Sequence, residues 1–236
     1  MKRTYKIADK IIEITSIYQY VHQLCEEYAF TGEADFAVET AQKDIDAERE
    51  KAEREGFSDA YLETLAVYRK IADKMLDYDT VLFHGSAIAV DGEAYLFTAK
   101  SGTGKSTHTR LWRELFGERA VMINDDKPLI RITDTGAFVY GTPWNGKHRL
   151  GTNTSAPLKA VCVLTRAETN GIKKTDKRAV YPMLLQQTNR PCDAAKMIKT
   201  FSLIDGLAAR TELYILGCNM EPEAARVSYE GMNGRK

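Results

Sequence analysis

Between an apolar run ending at Thr98 and an amphipathic run opening near Lys105, the chain reads Lys100-Ser101-Gly102-Thr103-Gly104-Lys105-Ser106-Thr107. No other stretch restricts the fold so strongly. A strand that hands over to a helix through such a turn leaves the first helical N–H groups without partners, at the positive end of the helix dipole. A terminus of that kind attracts phosphate. Glycines let the backbone bend around the phosphates and approach them closely. A lysine after the last glycine reaches the β- and γ-phosphates, and the hydroxyl after it can hold Mg²⁺. Gly102, Gly104, Lys105 and Ser106 stand in those positions, with Thr107 a second hydroxyl for the metal and Ser101 and Thr103 completing the nucleotide-binding loop. The general pattern opens with glycine where this chain has Ala99, a residue that fits if its φ is negative.

The flanks predict an α/β fold with a mixed sheet around this P-loop. Thr80–Val90 and Glu93–Thr98 read as two β-rich runs joined by Asp91-Gly92, a strong hairpin signal. Lys105 to Phe116 reads as a helix with Leu111, Trp112 and Leu115 inward, closed by Gly117. Further strands are expected at 120–123, 129–132, 137–140, 158–164 and 213–216, and helices at about 179–187 and 193–200. Upstream, Ile7 and the Ile11, Ile12, Ile14 cluster suit a strand, and Thr31-Gly32-Glu33 suits a turn before Phe36-Ala37-Val38. Asp44 to Glu55 is almost wholly charged and reads as a solvated helical face or a mobile insertion, with Glu50 and Arg54 spaced for an i,i+4 pair. Ser58 can cap a helix over 59–77 whose inward stripe is Tyr61, Leu65, Tyr68, Ala72 and Met75, with Leu62 and Leu76 beside them. No linker forces a boundary, so one domain is expected over 1–236, with an amino-terminal segment of about 1–78 and a P-loop core of about 79–218.

Charge narrows the partners. Lys plus Arg and Asp plus Glu stand at 33 each, a formal net charge of zero. Such a chain has no overall field to hold it on a nucleic acid or an anionic membrane. Cys25, Cys162, Cys192 and Cys218 lack metal-finger or CxxC spacing. No apolar h-region follows the basic residues near Met1, and no apolar stretch approaches the roughly 18 residues of a membrane span. A cytoplasmic protein is the expectation.

Phosphoryl transfer needs a carboxylate for the metal and a base for the acceptor hydroxyl. Asp125-Asp126 follows an apolar strand that should end beside the phosphate loop if the two strands are neighbours. Adjacent residues in an extended chain point opposite ways, so one carboxylate can face the acceptor and the other the metal. His84, on the strand before the loop and followed by Gly85, is either a satisfied structural residue or a contact for a phosphate oxygen. Spacing does not choose between these.

Taken together, His84-Gly85, the Ser101–Thr107 loop and Asp125-Asp126 resemble the catalytic domain of the HPr kinase/phosphorylase family. More distantly, the loop is similar to that of ATP-dependent phosphoenolpyruvate carboxykinases, which share that fold. The resemblance covers roughly residues 80–165. It implies Asp125 as acceptor base, Asp126 as the metal-side carboxylate with Ser106, Lys105 on the β/γ-phosphates, and His84 near the transferred group. It also implies ATP and Mg²⁺ as cofactors and a tendency to form homo-oligomers. The family's glycine- and arginine-rich signature after the acidic pair is replaced here by Gly141-Thr142-Pro143-Trp144-Asn145-Gly146-Lys147-His148-Arg149, and its separate amino-terminal domain has no counterpart. The chain looks like the short, divergent relatives that act on other hydroxyl acceptors or have no assigned one.

The Trp144 segment can be read two ways. Lys147 or Arg149 can supply positive charge to the transferring group, with Trp144 as an apolar platform. Alternatively Trp144 caps the core and the cations are solvated. The expected activity is an ATP-dependent kinase that phosphorylates a hydroxyl on a small molecule or a peptide serine. Two alternatives stand: a nucleotide-binding sensor without transfer, and a carboxykinase-type phosphotransferase needing a metal site of His, Lys and Asp. No base-reading motif separates ATP from GTP or pyrophosphate.

Overall fold

A computed structural model of the chain describes residues 1–52 and 55–234. It divides into two compact units, Met1–Tyr78 and Asp79–Lys236.

In the first unit, β1 (Lys2–Ile7) and β2 (Lys10–Thr15) form an antiparallel hairpin, and the parallel strand β3 (Phe36–Glu39) extends the sheet beside β2. Helices α1 (Tyr20–Leu24), α2 (Gln42–Lys51) and α3 (Asp59–Met75) complete it. Ser58 caps α3 by accepting from the Tyr61 amide at 3.3 Å. The buried face of α3 keeps Tyr68, Ala72, Met75 and the flanking Leu62 of the expected stripe but is turned away from Tyr61. Leu62, Ala66, Val67, Ile71 and Met75 face inward with Tyr68 and Ala72, while Tyr61 is exposed. The reason lies in Glu63, fully buried and accepting from the amides of Ile17 and Tyr18 and from the Thr40 hydroxyl at 2.6–2.8 Å. That anchor sets the rotation of the helix. On α2 only Ile45 and Glu48 are buried, as a solvated face requires. The Glu50–Arg54 pair lies outside the described residues.

The second unit is a mixed sheet with helices α4 (Lys105–Phe116), α5 (Lys177–Gln187), α6 (Ala194–Arg210) and α7 (Glu223–Met232). Its strands are β4 (Thr80–Leu82), β5 (Ser86–Val90), β6 (Glu93–Thr98), β7 (Ala120–Asn124), β8 (Leu129–Ile132), β9 (Ala137–Tyr140), β10 (Ser155–Arg166), β11 (Gly171–Lys174) and β12 (Glu212–Cys218). The order runs β4-β8-β9-β10-β6-β5-β7, with β12 paired to β10 and β11 to β12. An α/β fold with a mixed sheet is what the sequence implies. The Asp91-Gly92 hairpin is present, with Val90 opposite Glu93 and positive φ at both turn residues.

Three expectations need correction. The run 80–90 is two strands, because the chain changes partners at 83–85. Phe83 N–H donates to Pro128, His84 N–H to Gln187 and Gly85 N–H to Asp126 carbonyls at 2.7–3.1 Å. A Cβ on Gly85 would stand 2.9 Å from Leu96 Cδ1 and 3.1 Å from the Phe97 carbonyl, so a side chain there would have to push both aside. His84 therefore sits in a break between strands. Next, β7 is not the neighbour of β6, since β5 lies between them. Last, Leu115 is exposed; α4 turns Leu111 and Trp112 inward, against Tyr95, Phe97 and α7. Helix α7 and strand β11 lie in segments to which the sequence assigned nothing. Trp112 Nε1 donates to Ser228 on α7 at 2.8 Å, and His108 Nε2 meets the same hydroxyl at 3.0 Å.

Candidate active site

Pairing directions decide which residues meet. β5 is antiparallel to both β6 and β7, so its first residue lies beside the last residues of each: Ser86 opposite Phe97, and Ala87 opposite Asn124. β10 is parallel to β6, with Val163 opposite Thr98. One end of the sheet thus gathers the exit from β6 into the 99–104 loop, the 84–86 entry to β5, the Asp125-Asp126 turn after β7 and the end of β10.

The loop closes on itself through Thr103 N–H to the Lys100 carbonyl at 3.2 Å. Gly102 and Gly104 take φ of +75° and +122°, conformations that side chains disfavour. Gly104 is the N-cap of α4 and offers no side chain to its first amides, whereas Ser58, Asp176 and Asp193 cap α3, α5 and α6. The first helical bond runs from His108 N–H to Gly104 at 2.9 Å, so the amides of 105–107 precede it and are open to an anion. Lys105 is buried and its Nζ donates to the Ala99 carbonyl at 3.2 Å. Burial pulls its pKa below the ordinary lysine value, with Asp126 and Asp125 pulling upward.

The acidic pair is held by Asn124, itself fully buried. Its Oδ1 accepts from the Asp126 and Lys127 amides at 2.8 and 2.7 Å, and its Nδ2 donates to the carbonyl and Oγ1 of Thr142 at 3.2 and 3.0 Å. This Asx turn sends the carboxylates apart. Asp125 is buried, and Ser86 donates to its Oδ1 at 2.6 Å. The Ser86 proton being committed to Asp125, its Oγ in turn accepts from the Thr109 hydroxyl on α4 at 2.9 Å. Two hydroxyls therefore bridge the strand that separates β7 from β6, linking Asp125 to the helix behind the 99–104 loop. Among the described residues Asp125 Oδ2 accepts no hydrogen bond.

Asp126 is the more accessible carboxylate. Its Oδ1 lies 3.4 Å from His84 Nε2 and 3.8 Å from Lys127 Nζ. The first contact has ion-pair geometry, yet burial, then Lys127 and Lys105, drive the His84 pKa down to about 4. Burial likewise raises that of Asp126, against the pull of the two lysines. We take the imidazole as neutral at pH 7, because two ammonium groups and burial all oppose a third positive charge here. The contact is then between a dipole and a carboxylate.

The Trp144 segment lies against this turn. Trp144 is buried and its carbonyl accepts from Lys127 N–H at 3.1 Å, while Gly146 packs on the backbone of Asp125. Lys147, His148 and Arg149 are exposed. Ser86, Thr109, Asn124, Lys127 and Arg166 were not marked by the sequence. The first two are single hydroxyls inside elements, and no local pattern separates them from ordinary packing residues.

No protein-family model and no curated protein matches the chain. Among solved structures, the HPr(Ser) kinase/phosphatase from Coxiella burnetii is similar over 51% of this chain and 87% of its own, at 10% identity and a TM-score of 0.30. A likeness that small carries no argument, and the functional reading rests on the site itself. No described helix is long and apolar enough to cross a membrane.

Proposed function

We propose that the chain is an ATP-dependent phosphotransferase acting on a hydroxyl acceptor. The observation that carries this is the meeting, at one end of the sheet, of the open loop amides and buried Lys105 with two differently placed carboxylates and His84. The loop and Lys105 bind the phosphates. Asp125, with Oδ1 held by Ser86, keeps Oδ2 for the acceptor: the hydroxyl oxygen bonds to the γ-phosphorus, its proton passes to Oδ2, and the β–γ bridging bond breaks to release ADP. His84, neutral, donates to a phosphoryl oxygen.

The residues fit Mg²⁺. Ser106, exposed in the first turn of α4, and Asp126 are hard oxygen donors, the type this ion selects. These two would hold it, and it would supply charge neutralisation across the β- and γ-phosphates.

The test is transfer of labelled γ-phosphate from Mg-ATP into separate pools of hydroxyl metabolites, serine peptides and cytosolic protein. Label in one pool, lost with Asp125→Asn while ATP still binds, supports the reading and identifies the acceptor class. Transfer that survives Asp125→Asn but not Asp126→Asn exchanges the two roles. Tight ATP binding without label in any pool favours a sensor. The closeness of His84, Asp126 and Lys127 favours, as a second reading, the carboxykinase-type reaction. That reading predicts Mn²⁺-dependent transfer to a small acid. Among the described residues no group of three His, Cys, Asp or Glu could hold a metal.

A further inference from the structure

We infer that Arg166 is a second phosphate-binding cation of the nucleotide site, an inference that rests on the nucleotide half of the function proposed above. Arg166 is the last residue of β10, three places beyond Val163, whose partner Thr98 ends β6. It therefore stands level with the loop that leaves β6, at the carboxyl end of parallel strands, where open α/β sheets take their ligands. Its Nη2 donates to the Gly102 carbonyl at 2.6 Å.

Gly102 is one of the two loop glycines with positive φ, so the guanidinium lies against the turn that would surround the phosphates. Arginine has five N–H donors in a planar fork, and one of them is used here. Among the described residues it makes no ion pair, and the side chain is exposed. A cation on a loop rim, holding a single carbonyl and no carboxylate, keeps its charge and the rest of its fork for a ligand. The geometry suits a phosphate, which takes two parallel N–H donors. Lys105 approaches from the helix side and is buried; Arg166 approaches from the neighbouring strand and is exposed. The two bracket the loop and divide the charge of a polyphosphate between them.

A residue that only props the loop needs a donor, not a charge, and this separates the two roles. Arg166→Gln keeps a donor for the Gly102 carbonyl and removes the charge, while Arg166→Lys keeps the charge. Dissociation constants for ATP, ADP and pyrophosphate would be measured by calorimetry at two salt concentrations, with circular dichroism as a check on folding. Charge-assisted phosphate binding predicts roughly tenfold to hundredfold weaker ATP binding in Arg166→Gln, partial recovery in Arg166→Lys and a smaller salt dependence in the glutamine variant. Wild-type affinity in a folded Arg166→Gln overturns the inference. Absence of nucleotide binding in the wild-type protein, with Lys105→Ala indistinguishable from it, instead removes the phosphotransferase reading itself.

Discussion

Asn124 offers the sharpest test of how the acidic pair is held. Its side chain makes four hydrogen bonds at full burial. In Asn124→Ala the Lys127 N–H keeps the Trp144 carbonyl, so it is not orphaned. The Asp126 N–H and the Thr142 carbonyl lose their partner. Two such groups at roughly 1–3 kcal/mol each, plus a small cavity, give an expected loss of about 3–5 kcal/mol. Asn124→Asp keeps the acceptor for both amides but sets a carboxylate oxygen against the Thr142 carbonyl, one residue from Asp125. Its folded pKa should rise above the ordinary ~3.9. A carboxylate whose folded pKa is raised destabilises the native state at pH above that value, and the penalty lifts as pH falls. The deficit of the aspartate variant relative to the unsubstituted protein should therefore narrow as pH falls toward 4, and that of the alanine variant should not. Urea unfolding followed by tryptophan fluorescence is the assay. The chain's two tryptophans, Trp112 and Trp144, both belong to the unit Asp79–Lys236, so the signal reports that unit. A loss below about 1 kcal/mol for Asn124→Ala, or a pH-independent gap for Asn124→Asp, would refute the reasoning.

Other variants probe separate parts of the same unit. His108 is buried and its pKa is lowered to about 4 by burial, so the unfolded chain takes up a proton below pH 6.5 that the native state refuses. Stability should fall as pH drops from 6.5 toward 4, by on the order of 2 kcal/mol at pH 5 for this residue, and His108→Phe should flatten that slope in denaturation curves. Ser86→Ala removes the 2.6 Å bond to Asp125, and its expected cost is about 1.5–3 kcal/mol by the same unfolding assay. Gly141→Ala would place a Cβ 2.0 Å from the Thr152 carbonyl oxygen and 2.9 Å from that of Ile123, both backbone atoms. We expect a loss of about 3 kcal/mol or more, with a depressed melting temperature in calorimetry.

The parts of the fold set by local chemistry were legible in the sequence. The Asp91-Gly92 turn, the strands at 129–132 and 137–140 and the strand–loop–helix at 93–116 each announce themselves within a dozen residues. What stayed hidden depends on partners distant in the chain. The break at 83–85 follows from a change of neighbour from β8 to β6 and β7. The rotation of α3 follows from Glu63 reaching amides at 17 and 18 and the hydroxyl of Thr40. In the candidate site, the loop, His84 and the acidic pair could be chosen by type and spacing. The Ser86–Thr109 link and the approach of Arg166 could not, because both come from the order and direction of strands.

The placement of β5 between β6 and β7 has a consequence for how such a protein can change. The loop lysine, the histidine and the two aspartates all lie within residues 84–126, at the ends of three strands joined by hairpin and helix, so their mutual geometry is set by one continuous stretch. The segment 141–153 rests on this stretch through main-chain contacts, as in the bonds of Lys127 N–H to Trp144 and Thr152 N–H to Ile123. Contacts of that type tolerate many side chains. The stretch 84–126 can then keep its geometry while the side chains of 141–153 change, a division of labour between a fixed frame and a variable rim.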